Sequence, residues 1–140
     1  MNENKVLSFI KRLSDDTVKG KVTWQRMDDY RNRIAHSPTS PLEGVFLESE
    51  FRHIDFYKSY CAVISPGDVF VIYEDVESGR ETGIKSIGYK IYLWNDNTKH
   101  IAQLACPASV IYQLLNAIES CIDEQETNAE AFIDAYLNQH

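Results

Sequence analysis

Three side chains in this sequence combine reactive chemistry with a telling place: Cys106, His100 and His53. Cys106 stands directly before Pro107, where an apolar-periodic segment begins. Helix N-termini lower thiol pKa values, so the position suits a reactive thiolate, although cysteine at a strand end is more often a small buried residue. His100 has the same facing as Cys106 if the strand continues between them. Six strand residues span roughly 20 Å, however, which is too far for a direct dyad. His53 and Asp55 are two apart and share a face on a strand, with His36 and Glu50 as further candidate metal ligands. Zinc and iron need three or four converging ligands, and spacing places only two, so a solvated or hydrogen-bonded histidine is the ordinary outcome.

Other clusters carry less. Glu74, Asp75, Glu77 and Glu81 read as an acidic loop without the spacing or central glycine of an EF-hand. Asp28 and Asp29 are adjacent and point to opposite faces of a strand, which does not suit paired acid–base work. Gly79 and Gly83 are too far apart for a phosphate-cradling loop and no helix pattern follows them. The sequence therefore assigns no catalytic residue, no metal site and no cofactor.

The elements that would hold these residues are clearer. Residues 4–19 form a first helix through Val6, Leu7, Ile10, Leu13 and Val18, with Asn2 or Asn4 as cap and Gly20 just past its end. Lys21 to Met27 is a first strand, with Val22 and Trp24 on one face. Trp24 is the expected anchor between helix and sheet, an indole whose burial needs a partner for its N–H.

Phe56 to Ile64 is rich in aromatic and β-branched residues and reads as a strand. Ser65-Pro66-Gly67-Asp68 reverses the chain, with proline at the second turn position and glycine free to take positive φ at the third. Val69 to Tyr73 is the return strand. A long polar link, Glu74 to Ser86, leads to Ile87 to Trp94, the clearest strand of all. Ile87, Tyr89, Ile91 and Leu93 share one face, and Gly88, Lys90, Tyr92 and Trp94 the other. Asn95-Asp96-Asn97 turns the chain into Lys99 to Ala105. Short links imply antiparallel neighbours and a meander.

Pro107 opens a helix to about Ile122, with Val110, Ile111, Leu114, Leu115, Ile118, Cys121 and Ile122 in one stripe. Thr127-Asn128-Ala129-Glu130 fits a capping box and starts a last helix carrying Ala129, Phe132, Ile133, Tyr136 and Leu137 on one face. Between the first strand and the second, residues 28–55 form an irregular, insertion-like segment. Ser40-Pro41-Leu42-Glu43 fits another capping box there, with an edge strand at Val45 to Glu50 as its rival.

The join Thr17-Val18-Lys19-Gly20-Lys21-Val22-Thr23-Trp24, a T-x-x-G-x-x-x-W pattern, resembles one in small stand-alone bacterial proteins. Their plan is a helix, a Trp-bearing strand, an antiparallel meander and a C-terminal helical part. The resemblance implies a fold and a bacterial or mobile-element source, and it implies no activity.

Bulk properties bound the rest. The chain of 140 residues, 44% apolar and 25% charged, suits a single soluble domain, 1–140. No stretch approaches the roughly 20 apolar residues that cross a bilayer, and the first residues lack a signal-peptide layout, so a cytoplasmic location without membrane contact is expected. Cys61, Cys106 and Cys121 form no CxxC pair and read as thiols rather than disulfides. A net charge of −7 argues against general nucleic-acid binding. The charge is uneven, at +3 over residues 1–36 and −10 over residues 37–140.

The expected fold is α+β: an antiparallel meander of four to five strands, one N-terminal helix and two C-terminal helices. Three functions are compatible with it. The first is a non-enzymatic protein-interaction module that uses an open sheet face at Tyr92, Trp94, Lys90 and Phe70, binding another protein or a second copy as a homodimer. The second is an acidic, immunity- or antitoxin-like partner of a basic protein. The third is a small ligand-binding protein or enzyme with a pocket near His53, His100 or Cys106.

Overall fold

The structure, a computed structural model, describes residues 2–28, 52–78 and 84–139. Helix α1 spans Glu3–Val18 and strand β1 Trp24–Arg26. The sheet continues with β2 (Arg52–Ile64), β3 (Gly67–Ser78), β4 (Ile84–Asn95) and β5 (His100–Leu104). Helix α2, Ala108–Leu137, closes the chain. The five strands pair in sequence order, all antiparallel, so the meander and the α+β class hold.

The T-x-x-G-x-x-x-W join has a physical reason. The N–H of Gly20 donates to the Thr17 carbonyl at 3.1 Å and that of Lys21 to the Asp16 carbonyl at 2.8 Å. These are the paired bonds of a Schellman ending, which needs the left-handed backbone that Gly20 adopts at φ +75°. The turn brings β1 back against α1. The buried Trp24 indole then donates to Thr17 Oγ1 at 2.9 Å, and that hydroxyl donates to the Leu13 carbonyl at 2.7 Å. Trp24 is thus the anchor the sequence predicts, with the partner its N–H requires. At the other end of α1, the Asn2 side chain accepts the N–H of Asn4 at 2.8 Å and caps the helix.

The two faces of the sheet carry two cores. α1 and α2 pack on each other and on one face, where Ile10, Leu13, Trp24, Val69, Val71, Ile91, Leu114 and Ile118 are buried together. Met27, Ile54, Cys61, Phe70, Ile72 and Trp94 form the second core, with Phe56, Tyr92 and Ile101 packed against it. The alternation read in β3 and β4 is therefore present, with odd residues facing the helices and even residues the second core.

Several expected boundaries move. The polar link does not begin at Glu74, because β3 runs to Ser78 and β4 starts at Ile84, one long hairpin whose ladder includes Glu74↔Gly88 and Asp75↔Ile87. Glu74, Asp75 and Glu77 are strand residues rather than an acidic loop, and Glu81 lies outside the described residues. Arg52 to Asp55 belongs to β2 rather than to an irregular segment. The expected capping box at Ser40 and the rival strand at Val45 to Glu50 also lie outside the described residues.

The reversal after β2 places Ser65 and Pro66, joined by a cis peptide, between Ile64 and its register partner Gly67. Gly67 is needed for close approach rather than for positive φ, since a Cβ there would collide with the Trp94 carbonyl. In the next turn the Asn95 side chain accepts the N–H groups of Asn97 at 2.8 Å and Thr98 at 3.2 Å. The left-handed residue is Lys99, at φ 58°, not one of the Asn or Asp positions.

The expected pair of C-terminal helices is one helix of 30 residues. Nothing between Asp123 and Glu126 breaks it, since Glu and Gln are good helix formers and no Gly or Pro intervenes. The Thr127 hydroxyl donates back to the Asp123 carbonyl at 2.9 Å, a mid-helix bond instead of a cap.

Candidate interaction surface

The four residues expected to form an open sheet face do not present one. Phe70 and Trp94 are buried in the second core, and the Trp94 indole donates to Asp96 at 2.9 Å. Lys90 and Tyr92 turn instead toward Glu74, which is 1% exposed. Glu74 Oε2 accepts from Arg52 Nε at 2.8 Å, and Oε1 accepts from the Tyr92 hydroxyl and lies 3.3 Å from Lys90 Nζ. Burial opposes the Glu74 charge, but the bonds from Tyr92 and Arg52 and the charges of Arg52 and Lys90 outweigh it, and the carboxyl sits below its ordinary range. Burial and the bond to Glu74 push the Tyr92 hydroxyl far above a normal phenol. Sequence reading missed Glu74 by placing it in a loop. The available signal was the even-numbered run Phe70, Ile72, Glu74 facing Lys90 and Tyr92 on the next strand.

The residues with nucleophilic or metal-ligating chemistry stand apart. His53 pairs in register with Asp75, and His100 with Asn95, whose β3 partner is Gly67. Those levels are eight residues apart along β3, roughly 26 Å. Cys106 lines an open cavity of roughly 530 Å³ with Glu3, Val6, Gln103, Ala105 and Pro107. A smaller apolar cavity, roughly 140 Å³, lies among Phe9, Ile64, Asp68, Leu93 and Trp94. Neither is lined by a histidine. Burial pushes the Cys106 thiol up, away from the thiolate. Asp55 is occupied in the backbone, its carboxylate accepting the N–H groups of Tyr57 and Lys58 at 3.1 Å each. No group of three metal-ligating side chains occurs among the described residues, and His36 and Glu50 lie outside them.

Asp55 holds a bulge. The β2–β3 register jumps from Asp55↔Tyr73 to Tyr60↔Val71, so the four residues 56–59 stand opposite Ile72 alone. The buried Ser59 hydroxyl donates to the Asp55 carbonyl at 2.7 Å and accepts the Tyr73 N–H at 2.9 Å, which replaces the lost ladder bond. The bulge gathers cations and tyrosines. The Arg26 guanidinium stands 5.2 Å from the Tyr57 ring and 5.6 Å from that of Tyr60, and Lys58 lies 5.1 Å from the Tyr73 ring. Tyr73, Tyr89 and Tyr112 follow edge to face at 5.0 and 6.1 Å. Burial, with the nearby Tyr60 and Glu119, pushes the Tyr89 hydroxyl up to about 12. Arg26 also reaches Glu126 of α2 at 3.8 Å. The cluster thus touches α2 at Tyr112, near its start, and at Glu126, one turn past Ile122.

All described residues from Asp123 onward are exposed, a length of roughly 22 Å at the helical rise. Phe132, Ile133, Tyr136 and Leu137 are 75%, 54%, 68% and 70% exposed. At about 100° per residue, Ala129, Phe132, Ile133 and Tyr136 fall on the same side of the helix as the buried Ile111, Leu114, Leu115, Ile118 and Ile122. One stripe, apolar except at Gln125, therefore runs the length of α2, and only its first half is covered. The spacing that places Ala129, Phe132, Ile133, Tyr136 and Leu137 on one face holds, but on the second half of this helix rather than on a separate one.

No helix among the described residues is long and apolar enough to cross a membrane. Comparison with protein-family models, with curated proteins and with solved structures finds no match.

Proposed function

We propose that the chain is a non-enzymatic protein-interaction module whose contact element is the distal half of α2. The observation that carries this reading is the stripe, which is core from Ile111 to Ile122, passes Gln125, and is apolar and solvent-facing again from Ala129 to Leu137. Exposed apolar groups at helical spacing are the signature of helix-in-groove recognition. Ala, Glu and Gln in the distal half favour helix without tertiary support, and the packed half supplies the costly nucleus. The element is thus held in shape before it meets anything, which lowers the entropy cost of binding. Phe70 and Trp94 are buried, whereas Phe132, Ile133, Tyr136 and Leu137 are exposed, which favours this helix over the sheet face as the contact element.

The test compares the wild type with a Phe132→Ser/Tyr136→Ser variant in a pull-down from the native host and in light scattering. The expected result is a bound protein, or a self-associated species, that the variant loses while its circular dichroism and melting are unchanged. Identical capture and identical mass for the two proteins sink the reading.

A further inference from the structure

We propose that the distal half of α2 docks a basic, apolar-faced helix of another protein rather than a second copy of this chain. The proposal rests on the interaction reading above and names the chemistry of the partner.

Charge carries it. α2 contains Glu119, Asp123, Glu124, Glu126, Glu130 and Asp134, and not one Lys or Arg in its 30 residues. The acids are not scattered evenly. At about 100° per residue, Glu119, Glu126 and Glu130 form a row along one border of the apolar stripe, with Asp123 and Asp134 next to it. The opposite border holds Asn128, Ala131 and Ala135, and Glu124 is the one acid of the six that falls there. Beyond Asn128 the surface therefore offers an apolar strip with its acids, Glu130 and Asp134, on one side.

The chain itself shows how that edge is satisfied. One turn past Ile122, the last buried residue of the stripe, Arg26 pairs with Glu126 at 3.8 Å. Among the described residues, Arg26 is the cation that forms an ion pair with an acid of α2. One and two turns further on, Glu130 and Asp134 continue the row beside Phe132, Ile133 and Tyr136. A partner helix with apolar residues at i, i+3, i+4 and i+7 and Lys or Arg along one border would extend to the distal half what Arg26 does once. The unmet helix dipole adds to this, since the last turn carries no basic residue.

A second copy fits poorly. Two distal halves laid together would set one acidic helix against another, with no cation on either to separate them. The area points to a partner that also covers the acidic border. At roughly 200 Å² for a large side chain, the four partly exposed apolar residues offer on the order of 500 Å², short of the ~800 Å² that each side of a stable complex contributes.

The probe is a pair of labelled synthetic 18-residue helical peptides with the same Leu-based stripe, one bordered by Lys and one by Glu. Binding to the full chain is read by fluorescence anisotropy, and self-association by sedimentation. The Lys peptide should bind at least tenfold more tightly than the Glu peptide. It should weaken tenfold or more between 50 and 200 mM salt, and weaken tenfold or more with Phe132→Ser. Glu130→Lys/Asp134→Lys should narrow or reverse the preference between peptides. Equal binding of both peptides, lost with Phe132→Ser, overturns the basic partner and leaves the interaction reading standing. A dimer that Phe132→Ser dissolves overturns it in favour of a second copy. A monomer that binds neither peptide overturns this proposal and counts against the interaction reading as well.

Discussion

The two faces of one five-stranded sheet are built differently. Toward the helices the core is almost wholly apolar, and its buried polar contact is local, Trp24 to Thr17 seven residues earlier. On the reverse face Phe70, Ile72 and Trp94 share the interior with Glu74, which draws in Arg52, Lys90 and Tyr92 from the two neighbouring strands. A helix brings its own satisfied backbone and a ready apolar stripe, so the face it covers needs no further polar pairing. The reverse face instead buries a carboxylate, and a buried carboxylate is tolerable only when cations and donors surround it. The first face is held by packing volume, and the second by packing plus a charge arrangement that depends on pH.

The largest test of this contrast is its shared part. Phe70→Ala on the reverse face and Ile118→Ala on the helix face should each lower unfolding free energy by about 3–4 kcal/mol in urea titrations, because both empty well-packed sites. If either cost less than about 1 kcal/mol, that face would not be a core. Glu74→Gln comes next, at about 3 kcal/mol, toward the low end for a broken buried pair because Arg52 and Lys90 keep some contact with water. An unchanged stability there would erase the difference between the faces.

The same cluster fixes a pH dependence. Glu74 titrates below its ordinary value of 4.5 when folded, so the unfolded chain takes up the proton first as acid is added. Its contribution is therefore complete above about pH 4.5 and is lost as pH falls through the folded value. Tyr92→Phe removes one donor to that carboxylate. It should cost about 1–2 kcal/mol at neutral pH and move the acid unfolding midpoint upward. Thr17→Val on the helix face takes the acceptor from the Trp24 indole and should cost about 1–2 kcal/mol, with the acid midpoint measured relative to neutral stability unchanged. A pH shift in the Thr17 variant as large as in the Tyr92 variant would contradict the division.

The face that two periodicities agree on was the legible one. The stripe Ile111, Leu114, Leu115, Ile118 and the alternation Tyr89, Ile91, Leu93 meet in one core, which leaves Ile87 exposed, and the join from Thr17 to Trp24 is short enough for its turn chemistry to be read directly. Glu74 was missed because a charged residue at the end of an apolar run looks like the start of a loop. Only the neighbouring strand supplies its partners, and register is not visible in one segment. The bulge at residues 56–59 was hidden for the same reason: its aromatic residues suit a strand, and the misfit exists only against β3. The single long α2 was read as two helices because Thr127 to Glu130 matches a start signal. A start signal acts only where the preceding chain is not already helical.

The pairing of α1 with α2 sets an order on folding. Every strand finds its sheet neighbour in the next strand along the chain, so the hairpins can zip one after another. α1 has no such neighbour. Its principal partner is the last element, with all five strands between them in sequence. During synthesis α1 and the growing sheet leave the ribosome with a bare apolar face, and only the emergence of Ile111 to Ile122 closes it. The interval before that closure is when this chain is most exposed to aggregation.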